Sequence, residues 1–308
     1  MDGPELKETN EIDPRVLAEI GSLSFRARIL AESALHGMHR SRHHGSSVEF
    51  AEHKEYSPGD NVRHLDWRAY ARFDRDYIKR FEDESHLRAL ILVDTSASMS
   101  YRPAGEAERL TKLEYAVTCA GALSYVLARQ GDAVGLATFA DRLEIRVPPR
   151  ARRGHLQEIL AKLETLAATG TTALAKALDA LAEGMPRRMI LVIFSDLLDA
   201  GPSALEAIAR IAARRHDVTL FHTLDADELD FPFEDSTLFT SLEDDREVPI
   251  DARAIKAAYL EEIGRFVREV ELESRGSRVE HHLLRTDSSP SGVLARFLAG
   301  RSSLRTAR

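Results

Sequence analysis

Two short runs restrict the fold more than anything else in this 308-residue chain. In "ALILVD" (89–94) and "MILVIFSD" (189–196) apolar side chains follow one another without alternation. Successive strand residues point to opposite faces, so a strand with one wet face alternates, and an unbroken apolar strand is covered on both. The cover is supplied by helices, and helical periodicity does alternate with strands from Arg88 onward. The pattern predicts strands at 88–94, 133–139, 143–147, 188–196, 217–224 and 278–284. It predicts helices over about 109–130, 152–167, 172–183, 202–213, 251–274 and 290–299. The fold class expected is α/β, with a doubly wound, largely parallel sheet joined by right-handed crossovers.

Upstream, Asp13 before Pro14 reads as a helix cap with proline in the first turn, and the spacing of Val16, Leu17, Ile20, Leu23, Ile29 and Leu30 predicts a helix to about Ala34. "HGMHRSRHHGSS" reads as a mobile basic loop, and the segment after it as extended strands around a Ser57-Pro58-Gly59-Asp60 turn. Three parts are expected: a smaller N-terminal helix-plus-strand region (1–86), the α/β domain (87–300) and a flexible tail (301–308).

Composition excludes several classes. With 44% hydrophobic and 30% charged residues the chain is globular rather than disordered. Its longest uncharged apolar stretch, Tyr115 to Ala128, is too short to span a membrane and reads as a core helix. No leader pattern opens the chain, so the expected location is the cytoplasm. A net charge of -8 has the wrong sign for a nucleic-acid binder. The single cysteine, Cys119, is expected in the core.

The strand ends carry the chemistry. After Val93 come Asp94, Ser96 and Ser98, polar residues at every second position, aimed at one spot if the chain stays extended. The second apolar strand ends in Asp196, and "ATGTTALAKAL" places Thr172 in a glycine-containing loop before a helix. The carboxyl ends of parallel strands are where α/β sheets bind ligands. Asp94, Ser96, Ser98, Thr172 and Asp196 together offer five hard oxygen donors, direct or through water, where magnesium takes about six and keeps some waters. Taken singly, Thr172 and Asp196 each also fit a helix N-cap.

Asp94-Thr95-Ser96-Ala97-Ser98-Met99, Thr172 and Asp196 resemble the three parts of the metal-ion-dependent adhesion site of von Willebrand factor A-like domains. Upstream, "YSPGDNVRHLDWRAYAR", with Tyr56, Gly59, Asp60, Arg63, Asp66, Trp67, Ala71 and Arg72, resembles the hallmark of the bacterial family known as domain of unknown function 58. The resemblance runs over about residues 40 to 240. It implies a divalent cation, magnesium or else manganese or calcium, held by Asp94, Ser96, Ser98, Thr172 and Asp196, with an acidic side chain of a protein partner completing the shell. It also implies a link to MoxR-type AAA+ ATPases, in the role of a non-enzymatic adaptor. Thr171 stands where the adhesion-site loop often has glycine, and many family members carry N-terminal membrane helices that this chain lacks, which leaves peripheral membrane association open.

The rival expectation is a magnesium-dependent phosphohydrolase with Asp94 as nucleophile. Such enzymes resemble Asp-x-Asp, and Ser96 stands where the second carboxylate would move the proton. A zinc reading of His36, His39, His43, His44, His53 and His64 lacks cysteine and a closed arrangement. The arginines from Arg63 to Arg80 alternate with aspartates, which favours ion pairs over nucleic acid, and Trp67 is expected against the sheet. The acidic stretch from Asp225 to Asp245 reads as a solvated loop or as a contact for a partner, which the sequence does not separate.

Overall fold

The computed structural model describes residues 12–42, 53–55, 77–79 and 87–306, apart from 187, 199 and 243–245. The chain divides into two compact units, Met1–His39 with Leu87–Arg308, and Arg40–His86, a different division from the boundary at 86 that the sequence suggested. Within the smaller unit, β1 (His53–Glu55) and β2 (Tyr77–Lys79) pair antiparallel. The hallmark segment with Trp67, and His43, His44 and His64, lie outside the described residues.

The larger unit opens with α1 (Pro14–Glu19) and with α2 (Leu23–Arg42) as far as His39. Asp13 caps α1 through the Arg15 amide at 2.8 Å, as the Asp-Pro pair implied. The expected single helix is two, and α2 runs past Ala34 through the first part of the expected basic loop. There His36 Nδ1 lies 2.7 Å from the Glu32 carbonyl.

Six strands form the main sheet: β3 (Arg88–Asp94), β4 (Ala133–Phe139), β5 (Leu143–Arg150), β6 (Ile190–Ser195), β7 (Asp217–Leu224) and β10 (Glu280–Arg285). Their spatial order is β10-β7-β6-β3-β4-β5, parallel throughout except for the β4–β5 hairpin. The helices between them are α3 (Lys112–Arg129), α4 (His155–Glu164), α5 (Leu174–Gly184), α6 (Gly201–Ala213), α8 (Ala252–Gly276) and α9 (Ser291–Thr306). The last extends past residue 300, where a tail was expected.

Why β3 does not alternate is visible in its two faces. Ala89, Ile91 and Val93 join a core with α2, α3, α4 and α9, while Leu90 and Leu92 join a second core with α5, α6 and Val270 of α8. Burying one leucine or isoleucine contributes about 1.5–3 kcal/mol, so a strand used on both faces anchors the unit twice. Cys119 lies in the first of these cores.

The acidic stretch is structured rather than a plain loop. A capping box, Asp225 with Glu228, starts α7 (Ala226–Asp230), and β8 (Ser236–Thr240) pairs antiparallel with β9 (Glu247–Asp251). Phe231, Phe233, Phe239 and Tyr259 cluster there with ring centroids 4.5–5.9 Å apart.

Gly135 on β4 faces Pro149 of the edge strand so closely that a Cβ would stand 2.7 Å from the proline nitrogen. Gly135→Ala should therefore destabilise by about 1–3 kcal/mol through overpacking. Gly184→Ala, at the end of α5 with open space around it, should be neutral or stabilise by about 0.5 kcal/mol. Urea midpoints of the two variants check the contrast.

Candidate functional site

Strand order reverses between β3 and β6. From β3 the chain leads into α3, which packs in the first core, and from β6 into α6, which packs in the second. Connections that leave for opposite faces open a crevice at the carboxyl ends of the two strands. Asp94 ends β3, and Asp196 follows directly on β6.

The run after Asp94 is not extended. Ser96 precedes a turn of 3-10 helix at Ala97–Ser100, and this turn, rather than strand alternation, sets Ser98 Oγ 3.2 Å from Ser96 Oγ. The Thr172 loop is stitched alongside: the Thr169 amide donates to the Thr95 carbonyl at 2.7 Å, and the Ala97 amide to the Gly170 carbonyl at 2.9 Å. Gly170 has φ +77°, which lets the loop reverse there. Neither cap reading holds. Ala173 is the N-cap of α5 and Ala200 that of α6, so Thr172 and Asp196 are free of that duty.

Asp94 and Asp196 are fully buried. Asp94 accepts from the Ser96 amide at 2.9 Å and from the Ser195 hydroxyl at 2.6 Å. Asp196 accepts from the Leu198 amide at 3.0 Å and from the Lys112 ammonium at 2.7 Å, and Lys112 reaches Glu228 at 2.6 Å. Leu197, between them, has φ +56°, a left-handed conformation that a leucine adopts only at a cost of roughly 1–2 kcal/mol. His222 Nε2, 3.0 Å from the Asp196 carbonyl, donates to it; burial and then His281 hold the ring's pKa down to about 3, so it stays neutral.

Electrostatics at the two carboxylates differ in kind. Burial, and after it the charge of Asp196, raises the Asp94 pKa to about 7 against the hydrogen bonds that lower it. For Lys112 burial works against the ammonium, but Asp196 and Glu228 outweigh it and its pKa is raised. Lys112, Ser195 and Glu228 were not singled out by sequence. A lysine opening a helix usually reaches solvent, and its position against the helix dipole was the only signal.

One atom fits a missing ligand. Thr172 Oγ1 is shielded from solvent and has no hydrogen-bond partner. The hydroxyls of Ser96 and Ser98 bond each other, the Ser96 side chain also bonds Asp94, and a hydroxyl oxygen has two lone pairs to offer. Among the described residues no cluster of three histidines, cysteines or carboxylates could hold a metal, so the donor set here is hydroxyl-rich, suited to a hard cation rather than zinc.

The family description "Protein of unknown function DUF58" matches residues 52–267, and the chain belongs to that family. It is 29% identical over 294 residues to uncharacterized proteins Mb1516 of Mycobacterium bovis and Rv1480 of Mycobacterium tuberculosis, covering 94% of this chain and 90% of each relative. Among solved structures it is similar to the conserved hypothetical protein BatB from Bacteroides thetaiotaomicron (15% identity, 72% of this chain and 100% of that one, TM-score 0.47). It is also similar to an aerotolerance-related membrane protein from Bacteroides fragilis (17% identity, 70% and 97%, TM-score 0.44). Among the described residues no helix is long and apolar enough to cross a membrane.

Replacing Thr172 by Val removes an unbonded buried hydroxyl and keeps the shape. Without cation, Thr172→Val should be more stable by about 1 kcal/mol. Should Thr172 lend its oxygen to a magnesium ion, affinity for that ion would fall by roughly tenfold or more in the same variant. Urea melts and calorimetry read the two effects.

The Asp94 pKa is about 7 folded and 3.8 free, so between these values the folded chain holds more proton and the cation-free protein loses stability as pH rises. A cation requires the carboxylate, so its affinity should drop about tenfold per pH unit below 7. Melts at pH 5 and 7.5, with magnesium or chelator, against Asp94→Asn isolate this group. An identical pH difference in both proteins would remove it.

Proposed function

We propose that this chain is a von Willebrand factor A-like domain that binds a divalent cation, magnesium by preference, in a crevice of the adhesion-site type, and through it an acidic side chain of a protein partner. The observation that carries this reading is the shielded, unpartnered Thr172 hydroxyl, in a loop hydrogen-bonded to the turn that follows Asp94. Ser96, Ser98 and Thr172 would supply hydroxyl oxygens. Asp94 and Asp196 would supply charge, directly or through water, since their oxygens already accept hydrogen bonds. When bound, the cation supplies one open position for an outside oxygen, and a hard ion favours a carboxylate there. Family membership and the motif resemblance support a further step: a non-enzymatic adaptor working with a MoxR-type AAA+ ATPase on a target protein.

The phosphohydrolase alternative asks Asp94 to attack a phosphorus atom. Asp94 has no exposed surface, and both its oxygens are held by neighbours. The group one position on from Thr95 is a hydroxyl, which does not transfer protons near neutral pH as a tuned carboxyl does.

Immobilised protein should retain a purified MoxR-type ATPase from the same bacterium in magnesium and release it in chelator. Asp94→Ala and Ser98→Ala should weaken retention while the circular dichroism spectrum stays unchanged. Equal retention in all these conditions would move the docking site away from the crevice. Phosphatase turnover lost with Asp94→Ala would favour the alternative.

A further inference from the structure

Lys112 is the first residue of α3, where unpaired N–H groups already present positive charge and a cation is disfavoured. The helix does not need it there, because Thr111 and Glu114 close that end with a capping box. It is nonetheless fully buried, its ammonium held by Asp196 and Glu228. Apolar residues of similar volume are commonly as stable as such a buried ionic cluster, so the demand comes from the crevice. Asp225 is held apart from this cluster by Arg109 at 3.2 Å, which also reaches the half-exposed Glu106 at 3.3 Å, and Asp227 lies nearer solvent on Tyr101. Asp94 acts on Asp196 but has no contact with the ammonium, so the crevice holds three carboxylates against one ammonium, a net charge of two negatives when all are ionised. That is the charge of one divalent ion.

We propose that Lys112 sets the charge selectivity of the cation centre, holding the crevice at a charge that a single divalent ion neutralises and denying a trivalent ion the extra attraction. This rests on the cation reading above. Lys112 would be a positioning residue, since it acts through Asp196 and Glu228 and touches no donor among the hydroxyls in the contacts described.

Titrations of the full chain with magnesium, read by calorimetry, and with terbium, read by lanthanide luminescence, test it. Lys112→Met should raise the terbium-to-magnesium affinity ratio by about tenfold or more, since one more negative charge faces the ion. Lys112→Arg should leave the ratio near the wild-type value. Lys112→Met combined with Glu228→Gln removes one charge of each sign and should restore the wild-type ratio, which a merely structural role would not do. Should Lys112→Met not fold, Glu228→Gln alone decides: it can keep the α7 capping contact to the Asp225 amide, and it should lower the ratio by about tenfold. A ratio unmoved by these variants, or a double variant that stays shifted, overturns the role given to Lys112. A wild-type chain that binds neither ion sinks the cation reading itself.

Discussion

Parallel pairing of β3 with β6 is the constraint from which the crevice follows. The register sets Val93 opposite Phe194, and the residues just beyond that pair are Asp94, Ser195 and Asp196. Two carboxylates are thereby buried close enough to feel each other. The fold answers with oriented dipoles and one cation: the Ser96 and Leu198 amides, the Ser195 hydroxyl and Lys112. A hydrogen bond to a charged group contributes about 1.5–3 kcal/mol. At Asp94 such bonds, from Ser195 and from the side chain and amide of Ser96, do not overcome burial, so its proton affinity stays high; at Asp196 an ammonium stands in direct contact.

Much of the fold could be read from local pattern because the central strands are extreme. Their unbroken apolar runs have only one explanation, and the helices between them are amphipathic enough to mark. Strand ends follow from that, so Asp94 and Asp196 were legible as a pair. The arrangement of Ser98 was legible only in part, since alternation suggested an extended segment and a 3-10 turn does the work. Thr172 as a free hydroxyl rather than a cap depends on where α5 starts, one residue later than its N-cap reading required.

The rest was hidden for physical reasons. β8 and β9 are half-exposed, and their inner face is a small aromatic cluster built from residues far apart in the chain, so neither strand carries a strong alternation. The α7 capping box was readable as Asp225 followed three residues later by Glu228, but it was masked by the acidity of its surroundings. Apart from its place against the helix dipole, Lys112 gives no local sign of burial. Its environment is made by Asp196, 84 positions away, and Glu228, 116 positions away.

Glu228 also has a second attachment, since its other oxygen takes the Asp225 amide and closes the first turn of α7. One carboxylate thus belongs both to a short surface helix and to the ammonium that neutralises Asp196. The two bonds are 2.6 and 2.7 Å long, so a movement of the α7 turn that the Glu228 and Lys112 side chains do not follow stretches a charged contact. Displacement of that helix would draw the ammonium away from Asp196 and change the electric potential at the strand end, so this corner of the fold couples position to charge.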